Sequence, residues 1–255
     1  MTISIQNGLS GLNTVRNISL IQRSLSRTMQ RLASGLQINQ AADGPADLVI
    51  SEQMRSQIGS LSQQIKNLEF NLNKNNAADS AIAELQGKVA EIRTLAVAAA
   101  DEGSATPETG KVYQQQVDDL VATYNQQVQN AEFGSQKLFD GSSESVSKLK
   151  NLEGFNVSTP EDAANAISKI SSVLSDLGDK QGSIGAKSKY EYETTIRSLE
   201  VTSQNLTAAE SSIRDANYAA EQASYLKQVI QLNSGLAALT QGNLATDSVF
   251  KLLHA

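Results

Sequence analysis

Between Met1 and Gln22 the only ionisable side chain is Arg16, yet apolar residues recur through that stretch at helical spacing. From Gln228 to Ala255 the ionisable side chains are Asp247, Lys251 and His254 alone. A helix facing water normally presents a charged face, so helices offering mainly Ser, Asn, Gln, Ala and Leu are suited to enclosure by protein. Two such segments at opposite ends of one chain restrict it to folds whose termini are covered. They point to construction rather than to chemistry.

The spacing of apolar residues predicts helices along most of the chain. The first carries Ile5, Leu9, Leu12, Ile18, Ile21, Leu25, Leu32 and Leu36, mostly three or four residues apart. Gly35 and the run Asn39-Gln40-Ala41-Ala42-Asp43-Gly44-Pro45 interrupt it. A second run starts near Asp47. Its seam of Met54, Ile58, Leu61, Ile65, Leu68 and Leu72 alternates steps of four and three, which is a coiled-coil signature. Asn75 and Asp79 take the next seam positions, expected to be hydrated, and the pattern resumes out of phase at Ile82, Leu85, Val89, Ile92 and Ala96.

A turn is expected over Gly103–Gly110, followed by a helix with Val112, Tyr113, Val117, Leu120, Val121, Tyr124 and Val128 on its apolar side. Residues 133–158 are glycine-containing and non-helical, with room for a hairpin near Lys137-Leu138-Phe139. Ser158-Thr159-Pro160-Glu161-Asp162 is a helix start, with a hydroxyl cap, a proline and early carboxylates. The helix that follows has Ile170, Leu174, Leu177 and Ile184 on its seam, and Gly178, Gly182 and Gly185 mark a place for a bend. The last run bears Leu226, Val229, Leu236 and Leu239 and is expected to end at Gly242-Asn243. The fold class is therefore mainly α: an elongated antiparallel helical bundle or coiled coil with a short irregular or hairpin region in the middle.

Composition excludes several functions. Only 4% of residues are aromatic and Trp is absent, which fits helices packed along narrow seams better than a globular enzyme core. A net charge of −6 leaves no basic stripe for nucleic acid. No stretch approaches the ~20 apolar residues that would insert into a membrane. The absence of cysteine removes disulfides and thiolate chemistry together. His254 lies next to the end of the chain, a poor place for a general base, and no His-Glu-x-x-His motif occurs. Neither an enzyme activity nor a cofactor is implied. Asp118 with Asp119, and Glu191 with Glu193, read as solvated helix faces, and Tyr190 and Tyr192 as packing or surface residues.

The aliphatic side chains of either terminal segment are too few to offset the entropy of ordering it alone. Both ends are expected to be mobile in a free subunit and to order on association. The alternative is that they pair with each other and complete an ordinary bundle.

Four stretches together resemble bacterial flagellin, and the likeness covers nearly all of both halves. They are LSRTMQRLASGLQINQAADGPADLVISEQMRSQI, AIAELQGKVAEIRTLAVAAADE, QQQVDDLVATYNQQVQNAEFGSQKLFDG and LTAAESSIRDANYAAEQASYLKQVIQLNSGLAAL. The resemblance implies a secreted subunit of the extracellular flagellar filament, exported unfolded through the type III flagellar apparatus. It implies inner-tube helices at 1–42 and 214–255, the two halves of a rod domain at 43–132 and 159–213, and a short hairpin or loop region at 133–158. The variable outer domains common in the family are then absent. Implied partners are further copies of the chain, an export chaperone at the C-terminal helix, and the filament cap and hook–filament junction proteins. The competing reading is a hook–filament junction protein, which shares the terminal helices but usually has a larger middle. In the family segment recognised by an innate immune receptor, a Gln-Arg pair usually precedes Val-Arg. Here Ala90 and Glu91 precede Ile92 and Arg93; Arg93 and Leu95 match the segment, while Glu91 reverses a charge. The seam break at Asn75 and Asp79 is a candidate place for the small adjustments that let a filament supercoil.

Overall fold

The computed structural model describes residues 2–101, 106–141 and 146–253, with side chains described in 11–101, 106–141 and 146–244. Its helices are α1 (Thr2–Ser34), α2 (Pro45–Ala99), α3 (Pro107–Asn130), α4 (Pro160–Ala186), α5 (Glu193–Arg214) and α6 (Tyr218–Leu253). A π-helical stretch, Lys187–Tyr192, joins α4 to α5. Strands β1 (Glu132–Phe133) and β2 (Gln136–Lys137) form an antiparallel hairpin with Phe133 opposite Gln136, turning through Gly134 at φ +64°. The mainly helical class with a small central hairpin is as expected.

Two compact units are formed, Met1–Ser60 with Ser203–Ala255, and Leu61–Thr202. The division falls within α2 and α5 rather than at the interhelical linkers near 42 and 214. The reason is local: the linkers are bonded to each other and to the start of α2, so they belong with the terminal helices.

The unit Leu61–Thr202 holds the main core. Ile82, Leu85, Val89, Ile92 and Ala96 of α2 are fully buried with Val117 and Tyr124 of α3 and Ile170, Leu177 and Ile184 of α4. Residues 146–157 cross α3 as an extended strap. Asn125 accepts from the Leu152 N–H at 2.7 Å and donates to its carbonyl at 2.9 Å. Gln114 likewise accepts from the Val157 N–H at 2.7 Å and donates to the Phe155 carbonyl at 2.9 Å. These two amides satisfy backbone groups that a strap away from any sheet would leave unpaired.

The capping signals act as the sequence implies. Thr159 caps α4 by accepting from the Asp162 N–H, with Pro160 in the first turn. Thr106 and Thr109 cap α3 reciprocally, so that helix starts at Pro107 and Gly110 lies inside it rather than in a turn. Two further expectations are corrected. The α6 backbone stays helical through Gly242 and Asn243 to Leu253; one helical glycine costs only ~1 kcal/mol, which neighbouring leucines and alanines offset. Leu138 and Phe139 are not strand residues but buried core, just beyond β2.

Gly178, Gly182 and Gly185 do not interrupt α4; the irregularity follows them. Inward residues fall at Ile170, Leu177, Ile184, Ser188, Tyr192 and Ile196, all buried. Three successive steps of four after Ile184 would carry an α-helix ~120° round its axis. Widening to a π-helix absorbs that drift and keeps Ser188 and Tyr192 inward. Opposite them Asn75 is fully buried, not hydrated, and its amide donates to the Ser188 hydroxyl at 3.1 Å.

Candidate assembly interface

In the unit formed by the chain ends, α1 and α6 lie against each other. Arg31 and Glu221 form an ion pair at 3.1 Å, with both side chains largely covered. Gln228 donates to the Ser24 hydroxyl at 3.0 Å and to that of Thr28 at 3.3 Å. Gly235 permits close approach to Ile18: a Cβ there would lie 3.2 Å from the Ile18 side chain. The two ends therefore pair with one another, which is the alternative arrangement that the sequence allows.

The linkers on either side of this helix pair are clamped together. Gly35 ends α1 at φ +71°, a conformation that suits glycine. Leu36 and Asp215 then form an antiparallel bridge. The Gln37 N–H donates to the Arg214 carbonyl at 2.7 Å, and the Ala216 N–H to the Gly35 carbonyl at 2.9 Å. The Arg214 guanidinium reaches Glu52 at 2.5 Å and holds its carboxyl below the usual glutamate range. Asp43 accepts from the N–H groups of Gln40 and Asn39, at 3.0 and 3.2 Å, which lowers its pKa in turn. No side-chain pattern announces this clamp; Gly35 is its one sequence signal.

The pairing leaves much of the apolar surface uncovered. Leu12 is 69% exposed, Ile230 66% and Leu244 61%, and Val15, Leu20, Leu226 and Leu236 are also exposed. Of the residues expected to build an inner tube, Ile18 is buried between the helices, whereas Ile21, Leu25, Leu32, Val229 and Leu239 are half-buried. Ile5 and Leu9 lie outside the described side chains. A monomer rarely exposes so many aliphatic side chains along two neighbouring helices unless another protein surface covers them.

The remaining site residues divide by position. Met54, Ile58, Leu61, Ile65, Leu68 and Leu72 are half-buried, as is Leu174, while Ile170, Leu177 and Ile184 are core. The buried apolar seam of α2 instead runs from Ala78 to Ala99. Glu91 and Leu95 line a groove with Thr94, Gln116, Asp119 and Leu120; Arg93 is exposed nearby but does not line it. Among the described residues there is no cluster of three metal-ligating side chains, and no helix is long and apolar enough to cross a membrane.

Both halves of the chain match known family regions. Residues 5–144 match the bacterial flagellin N-terminal helical region and residues 164–253 the bacterial flagellin C-terminal helical region. The flagellar filament 33 kDa core protein of Treponema phagedenis is 28% identical, over 98% of this chain and 99% of its own. The flagellins of Halalkalibacterium halodurans and Bacillus subtilis are 28% and 27% identical with the same coverage. A crystal structure of Bacillus cereus flagellin aligns with 55% of this chain and 88% of its own at 15% identity and a TM-score of 0.42. With family regions matched in the right order across both halves, the chain belongs to the bacterial flagellin family.

Proposed function

We propose that this protein is the structural subunit of a bacterial flagellar filament, a building block rather than an enzyme, assembled through α1 and α6. The observation that carries the reading is the row of exposed aliphatic side chains on both terminal helices, among them Leu12, Leu226, Ile230 and Leu236. Copies packing these faces together would bury apolar surface at ~25 cal/mol per Å². Names among the relatives support the filament over the hook–filament junction, since they are filament core proteins and flagellins.

The family membership supports an extracellular site of action and export in the unfolded state. A covering chaperone on α6 before export fits the exposure of Leu226 and Ile230, and cap and junction proteins are the remaining partners at the filament ends. The charge reversal at Glu91 supports weak recognition by the innate receptor.

Limited proteolysis combined with seeded growth tests the proposal. Purified monomer should be cleaved only within α1 and α6, and short filament seeds should elongate and protect both. Seeds that fail to elongate, protection of α1 and α6 that does not rise on elongation, or growth of closed rings contradicts it.

A further inference from the structure

The unit Leu61–Thr202 carries two unlike grooves that the terminal helices do not explain. One, of about 380 Å³, runs beside the strap between α3 and α4. Its rim holds Lys148, Lys150, Lys169 and Lys180, and its floor Phe155 and Leu177. Two carboxylates share the rim: Asp176 pairs with Lys180 at 3.7 Å, and Glu153 lies alongside. Lys169 donates to the Gly154 carbonyl at 3.3 Å, while Lys148 and Lys150 are exposed. The rim is net positive on a chain whose overall charge is −6.

The second groove, of about 500 Å³, lies between α2 and α3. Its charged lining is Glu91 and Asp119, with Leu95 and Leu120 as the apolar part and no basic side chain in the lining. Lys88 approaches Glu91 from one helical turn away at 3.4 Å, an exposed pair of small energetic weight. The first groove is cationic over an apolar floor, and the second anionic over an apolar floor.

Their placement is as informative as their charge. On α3, Gln116, Asp119 and Leu120 face the acidic groove, while Gln114 and Asn125 hold the strap. At 100° per residue these sets lie ~170° apart around the helix. Complementary patches on different faces of one unit make a heterologous contact, which propagates from copy to copy instead of closing a two-fold dimer.

Resting on the filament reading, we propose that the lysine-rimmed groove of one copy receives the Glu91–Asp119 face of the next copy as a lateral contact between rods. Rim charges of this kind set register and speed encounter more than they add affinity, and they weaken with salt.

Charge reversal tests the contact. The variants are Lys148→Glu with Lys150→Glu, Glu91→Lys with Asp119→Lys, and all four together. Seeded elongation at low salt gives the critical concentration, and thermal melting reports folding. Each double variant should melt as the parent does and raise the critical concentration roughly tenfold, an effect reduced by added salt. The fourfold variant, in which the four reversed side chains are again complementary, should return to within about threefold of the parent. An equimolar mixture of the two double variants should co-assemble. The proposal is overturned if the parent elongates and a double variant does so equally well, or if the fourfold variant is no better than its halves. A parent chain that never elongates overturns the filament reading as well.

Discussion

Gly110, in the first turn of α3, lies so close to the carbonyl oxygen of Ser158 that a Cβ at this position would overlap it. The residue follows from the approach: the end of the strap, just before α4 begins, presses backbone against backbone. Gly110→Ala should therefore lower the stability of the core unit by about 1–3 kcal/mol, although alanine is the better helix former. A melting curve of the variant decides this, and a rise in stability would contradict the packing.

The buried Asn75–Ser188 hydrogen bond should behave as a polar pair with no water to replace a lost partner. Asn75→Ala should cost about 1–3 kcal/mol, whereas Asn75→Leu combined with Ser188→Ala should recover part of that loss. Denaturant titration of the single and double variants separates the two effects. Because Asn75 is bonded to Ser188 of the π-helical stretch, replacing Asn75 and Asp79 with Leu should also alter filament waveform; unchanged waveforms would end that idea.

The linker clamp should be acid-sensitive. The Arg214 guanidinium, as hydrogen-bond donor and as charge, lowers the Glu52 pKa below its ordinary 4.5. Such a group stabilises the folded form fully above its unfolded value, and the contribution is lost as pH falls through the depressed folded value. Asp43, lowered from 3.8 by the Gln40 and Asn39 N–H groups, acts in the same direction at slightly lower pH. The protection of the Gln37 and Ala216 amides against hydrogen exchange, relative to the unfolded chain at the same pH, should fall below about pH 4.5. In Glu52→Gln the part of that dependence due to Glu52 should be lost; an unchanged profile would remove Glu52 from the clamp.

Much of this fold is legible in the chain. Thr159-Pro160 and Pro45 mark helix starts, and the four-three spacing marks α2 as one long helix. Periodicity reports which face turns inward but not how many layers cover it. The seam from Met54 to Leu72 consequently reads as core yet is half-buried, while Ile82, Leu85, Val89, Ile92 and Ala96 are fully buried in a core shared with α3, α4 and the strap. The steps of four from Ile184 to Ile196 contain the π-helical drift, but glycines nearby offer a simpler and incorrect location for it. The clamp joining Gly35–Gln37 to Arg214–Ala216 consists of backbone hydrogen bonds, which leave almost no residue signature. For the interface, low charge at the termini shows that something covers them; the exposed positions are visible only once α1 and α6 are paired.

Ile230 tests the central claim most directly. It is exposed in the single chain, so Ile230→Lys should change monomer stability by no more than ~0.5 kcal/mol. If the faces of α1 and α6 join copies, a buried unpaired ammonium at that contact should abolish or slow seeded filament elongation more than tenfold. The decisive measurement is elongation from parent seeds, with monomer melting recorded in parallel. Unchanged melting with lost elongation is the expected result; elongation at the parent rate would contradict assembly through the terminal helices.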